Sequence, residues 1–192
     1  MIKFIQAVEL LMSTGEILTR VTIWIAIAGY AAGASIFALS RQRAKWNAAA
    51  RLAWTAACIG LFAHVICAFH FYHGWSHTSA YRDTARQTAE VFGLNWGGGL
   101  YINYVFLIGW VIDTLWWWRG LEAYRRRPWP LVAAWHAFLL FIFFNGTVVF
   151  AAGPMRWLGL CLCLGLCAVW WYAAKNNSPR KSDDQGLSLV EN

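Results

Sequence analysis

Long uncharged apolar runs alternate with short basic ones along the chain. The apolar stretches cover residues 17–40, 52–72, 100–118, 131–152 and 155–174. Each is near the roughly 20 residues a helix needs to cross the hydrocarbon of a bilayer. They are continuous, whereas the strands of a membrane barrel alternate apolar and polar positions over about ten residues. Backbone polar groups in lipid must be satisfied within the protein, so runs of this kind predict helices. The expected fold is an all-α integral membrane protein with about five transmembrane helices.

The polar interruptions organise the rest. Residues 1–16 place Ile5, Val8, Leu11 and Met12 at helical spacing but carry Lys3, Glu9 and Glu16. That segment is too short and too polar to cross and has no cleavage pattern, so it predicts an interfacial helix. Residues 17–174 then form one five-helix bundle, interrupted by the polar connection 73–99. Within that connection 78–92 predicts a short helix, with Thr78 or Ser79 as N-cap and Gly93 just past its end. Tyr81, Ala85, Thr88 and Phe92 would share one face of it. Gly29 and Gly33 give the first span a small face for close helix packing. Pro128 and Pro130 suit the start of the fourth span, and Gly153-Pro154 marks a turn before the fifth. Residues 175–192 read as a disordered tail.

Charge adds a topology. Of 192 residues 13% are charged and 59% hydrophobic, about half the charge of a soluble domain. Arg41, Arg43, Lys45 and Arg51 make a basic loop after the first span, and Arg119, Arg125, Arg126 and Arg127 another after the third. The positive-inside rule puts the N-terminus outside, the C-terminus in the cytoplasm and the 73–99 connection on the extracytoplasmic side of a cell (inner) membrane. The net charge of +7 then serves topology and anionic lipid heads. With no basic-aromatic surface outside the membrane, it argues against nucleic acid as a partner. The expected partners are the lipid bilayer and other membrane subunits or further copies of the chain. Most of the fourteen tryptophans, Trp54 and Trp117 among them, would form an aromatic belt near the span ends. The five cysteines lie in spans, where a free thiol behaves as a small hydrophobe.

Candidate chemistry concentrates in the histidines. His70, His73 and His77 stand at i, i+3 and i+7. On an unbroken helix they would fall at 0°, about −60° and about −20°, on one face. Three imidazoles on one face can hold Zn, Cu or Fe; Gly74 inside the run works against the continuity that this needs. His64 in the second span and His136 in the fourth lie ~18 Å and ~8 Å from the cytoplasmic side by helical rise, which leaves open a haem b ligated by both. Asp113 in the third span needs a partner, and His136, at a similar depth, is the expected one. Asn103, Tyr104 and Asn145 could line a polar pocket beside His70. Gly97–Gly99 precedes the third span, either as an anion cradle with Arg82 and Arg86 or as a steric device.

Three functions are consistent with these features. The first is a redox or metal-handling subunit with a transition-metal or haem site at the extracytoplasmic face, built from His70, His73 and His77, with His64, His136, Asn103 and Tyr104 as cofactor contacts. The second is a small transporter or channel using Asp113 and His136. The third is a structural or assembly subunit. No nucleophile–base pair, phosphate loop or nucleotide fingerprint is visible in the sequence.

Overall fold

The computed structural model describes residues 2–40 and 43–177. Among these residues all regular structure is helical. The elements are α1 (Ile2–Leu39), α2 (Ala44–Phe71), α3 (His77–Phe92), α4 (Gly99–Arg119), α5 (Leu121–Arg125), α6 (Trp129–Phe144), a π-turn (Asn145–Val149) and α7 (Pro154–Asn177). Five helices are long and apolar enough to cross a membrane: Thr14–Leu39, Lys45–Phe71, Gly99–Arg119, Trp129–Val149 and Pro154–Asn176. These are the five spans the apolar runs predict, with ends shifted by up to seven residues.

The boundaries depart from expectation at both ends and at one loop. The interfacial segment 1–16 and the first span are not separate helices, because α1 runs unbroken from Ile2 to Leu39. At 1.5 Å per residue it is about 57 Å long, well beyond the ~30 Å of hydrocarbon, so its first turns lie outside the crossing segment. Arg43 precedes α2 and Lys45 and Arg51 lie within it, so the basic loop is shorter than expected; Arg41 lies outside the described residues. Arg51 stacks its guanidinium over Trp118 at 4.2 Å. The helix α7 continues to Asn177, and the rest of the predicted tail, 178–192, lies outside the described residues.

α1 packs along α2, α4 and α7 flank that pair, and α6 closes against α4 and α7. Lipid tails are as apolar as leucine, so close van der Waals packing holds these helices together. The first-span glycines serve this. A Cβ on Gly29 would come within 2.8 Å of the Ala53 carbonyl oxygen and 2.9 Å of the Ala57 methyl, so the α1 and α2 backbones touch there.

The core is aromatic. Tyr30, Trp54, Trp110, Trp117 and Tyr124 are all nearly or fully buried. Trp54 and Trp117 are therefore core residues and not members of a belt. Gly33 makes room for Trp54, whose ring carbon Cε3 would lie 3.3 Å from a Cβ at that position. The remaining tryptophans include several exposed ones, such as Trp75, Trp129, Trp157 and Trp171.

Two faces of the bundle carry polar structure. The arginine face holds α5 and the ends of α1, α2, α4 and α6. There Arg125 donates to Asn47 Oδ1 at 2.9 Å and Ser40 Oγ at 3.2 Å, while Ser40 donates to Asn47 Oδ1 at 3.0 Å. This ties the α4–α6 connection to the α1–α2 connection. The opposite face carries α3.

Candidate functional site

The α3 face begins where α2 ends. Tyr72 closes α2, and the chain reverses through Gly74 (φ +53°) and Trp75 (φ 60°). Glycine takes that conformation freely, whereas a tryptophan is strained in it and must be held by its surroundings. Trp75 stacks near Phe69 and His70, at centroid distances of 6.3 Å to each. Ser76 then caps α3, its hydroxyl accepting from the Ser79 amide at 3.2 Å. The cap is Ser76 and not Thr78 or Ser79, because the helix already includes His77. Gly93 closes α3 in the left-handed region, as its position predicts. The buried face is Ala80, Ala85 and Thr88, with Tyr81 partly covered and Phe92 exposed.

α3 seats on the start of α4 because Gly97 has no side chain. A Cβ there would overlap the Tyr81 carbonyl and ring. The amides of Leu100 and Tyr101 turn back onto the Gly97 and Gly98 carbonyls at 3.1 Å and 3.0 Å. The glycine run thus lets α3 approach closely, and its carbonyls accept from the first amides of α4. Arg86 is engaged by Glu90 at 2.9 Å and Asp83 at 3.5 Å. Arg82 faces a shallow depression lined with Tyr81, Arg86 and Asn95.

The turn separates the histidines. His70 lies against Phe71 and Trp75. His73 Nδ1 stands 3.3 Å from Asp83 Oδ2, an ion-pair distance without the alignment of a hydrogen bond. His77 Nδ1 is 3.1 Å from the Tyr104 hydroxyl, and its Nε2 is 3.4 Å from that of Tyr101. The three imidazoles therefore have three different sets of neighbours. Helical arithmetic no longer applies to them, because α2 ends at Phe71. Among the described residues no three His, Cys, Asp or Glu side chains converge as a metal-binding group. Tyr104 belongs to the site, whereas the neighbouring Asn103 is exposed and makes none of these contacts. Asn145 donates to the Phe141 carbonyl on its own helix at 2.7 Å.

His64 and His136 lie at different levels. His64 Nδ1 donates to the Thr19 carbonyl of α1 at 2.9 Å. His136 packs against Trp54 and Trp170 at 6.1 Å and 5.6 Å. Trp54 precedes His64 by ten residues, about 15 Å along α2. Each imidazole is thus engaged with different neighbours, and none of these contacts brings the two together.

Asp113 has other partners than His136. Its carboxylate accepts from the Arg127 guanidinium and, at 3.0 Å, from the Tyr124 hydroxyl. Arg127 also donates from Nε to the Tyr124 carbonyl at 2.9 Å and lies over the Tyr124 ring at 3.6 Å. Burial, then the neighbouring Asp113 carboxylate, pushes the Tyr124 phenol far above its ordinary range, which keeps it a donor. Arg127 comes from the connection whose arginines read as a topology signal. A lone aspartate within a span, followed by three consecutive arginines in the connection after that span, was the signal available for this pair.

Comparison with protein-family models, curated proteins and solved structures finds no match.

Proposed function

We propose that the protein is a membrane-embedded binding protein whose α3 face holds the carbonyl head of a membrane-dissolved ligand, of the quinone class. By the positive-inside rule that face is extracytoplasmic. The observation that carries the proposal is the clasp of His77 by two tyrosine hydroxyls. A neutral imidazole has one N–H, and each phenol has one O–H, so the trio holds three protons for two contacts. In either tautomer one phenol O–H is left to donate. Protonating His77 frees a second donor. The trio therefore suits an oxygen acceptor.

The surroundings support the same class. Phe69 and Tyr104 lie 6.4 Å apart, and Tyr101 and Tyr81 6.2 Å apart, in an aromatic patch beside His77. His77 and Tyr101 are exposed, at the boundary where the heads of membrane-dissolved molecules reside. Flat carbonyl-bearing heads combine ring stacking with acceptor oxygens. A metal centre on His70, His73 and His77 gains no support from this geometry, and neither does a haem between His64 and His136. The test is whether a short-chain benzoquinone binds the protein in lipid nanodiscs and loses affinity when the two phenol hydroxyls are removed.

A further inference from the structure

The aromatic core contains a second polar feature, unrelated to the α3 face. Tyr30 Oη, Trp54 Nε1, Trp110 Nε1 and His136 Nδ1 are buried without a hydrogen-bond partner. They come from four spans, α1, α2, α4 and α6. Tyr30, Trp54 and Trp110 form a triangle with centroid distances of 5.7, 5.7 and 5.4 Å. His136 adjoins it at 6.1 Å from Trp54. Tyr30 is 2% exposed, Trp54 1% and Trp110 3%.

A single orphan donor in a core is tolerable. Several in adjoining residues are a different matter, since each loses its water without gaining a partner, and lipid offers none. Edge-to-face packing, as between Tyr30 and Trp110 at 72°, recovers only part of this through N–H···π or O–H···π contact. Native proteins meet such clusters with a bound molecule or buried water. The chemistry of the missing partner follows from the donors. An indole N–H only donates, a phenol can donate, and His136 Nδ1 donates in the tautomer that protonates it, so the partner that serves all four accepts. It is neutral, because the nearest buried charges, Asp113 and Arg127, already compensate one another.

We infer that Tyr30, Trp54, Trp110 and His136 form an internal site for a neutral oxygen acceptor. The acceptor is either trapped water or the carbonyl of a membrane-dissolved molecule. Removing one hydroxyl separates an occupied site from a merely orphaned one. Tyr30→Phe deletes only the donor. With an acceptor in place the acceptor loses a partner and the melting temperature falls, by about 2–4 °C for a chain of this size. With no acceptor the change removes a buried unsatisfied group, and the melting temperature stays level or rises, which overturns the inference.

Two arms identify the source. Solvent extraction and mass spectrometry of the purified full-length protein reveal a stoichiometric carbonyl compound, depleted in Tyr30→Phe, if the acceptor is a ligand. If it is water, nothing co-purifies and the Tyr30→Phe shift persists after delipidation. A second measurement does not depend on that variant. The resonance Raman difference spectrum between wild type and Trp110→Phe isolates one indole. A hydrogen-bonded N–H supports the site, and a free N–H overturns it.

Discussion

Arg127 and Asp113 form an ion pair across fourteen positions of sequence, with both side chains 4% exposed. Tyr124 completes it, donating to the other carboxylate oxygen. The pair fastens the α4–α6 connection to the body of α4. Removing one partner leaves an uncompensated buried charge, which costs about 3–5 kcal/mol. Arg127→Met should therefore lower unfolding stability in detergent by about that amount. The double change Arg127→Met/Asp113→Leu should recover most of it, since an apolar pair of similar size can replace a buried ion pair. A double variant no better than the single one would contradict this account of the site.

Tyr124 predicts an alkaline effect. Its ordinary phenol value is 10.0, and burial raises it further in the folded state. Ionisation then costs the folded protein more than the unfolded chain. The contribution is complete below pH about 10 and is lost as pH rises above that. Wild type should lose more stability between pH 9 and about 11 than Tyr124→Phe does, as measured by parallel thermal melts. Equal slopes would mean that the phenol is not buried as described.

The α1–α2 contact predicts a position-specific cost. Gly29→Ala meets the Ala53 backbone oxygen, which cannot move alone. The expected loss is about 1–3 kcal/mol, in the range of an overpacked core. Gly165→Ala on α7 has nothing within 4 Å of the added methyl and should be neutral. The two melting temperatures, measured side by side, check this.

How much of this was legible in the sequence depends on the range of the interaction. The five spans and the end of α3 at Gly93 were readable because apolar runs and a cap glycine are local signals. The histidine set was not, because its geometry depends on whether α2 continues past Phe71. Gly74 signalled a break, but the left-handed Trp75 that follows it has no signature in the residue type. Tyr104 was readable as a polar group near that face. Its clasp of His77 with Tyr101 was not, since it needs the seating of α3 on Gly97. Trp54 reads as a belt residue until the glycines of α1 are known to face it. Asp113 signalled that it needed a partner, but the choice between His136 and Arg127 lay in the fold of a short connection.

The scattered histidines predict how the protein responds to chelation. His70, His73 and His77 are engaged with different neighbours. Treating the untagged protein with EDTA should leave its melting temperature unchanged. Stoichiometric zinc, copper or iron that disappears in His70→Ala/His77→Ala would contradict the geometry of the α3 face.

The most direct measurement of the proposed function is calorimetric titration of a short-chain benzoquinone into the protein in lipid nanodiscs, set beside Tyr101→Phe/Tyr104→Phe and empty nanodiscs. The donor count at His77 predicts saturable binding to wild type. It also predicts affinity about tenfold weaker in the double variant, the equivalent of one lost hydrogen bond of about 1.4 kcal/mol. Binding that is absent, or identical in wild type and variant, would contradict the assignment of the α3 face as the ligand site.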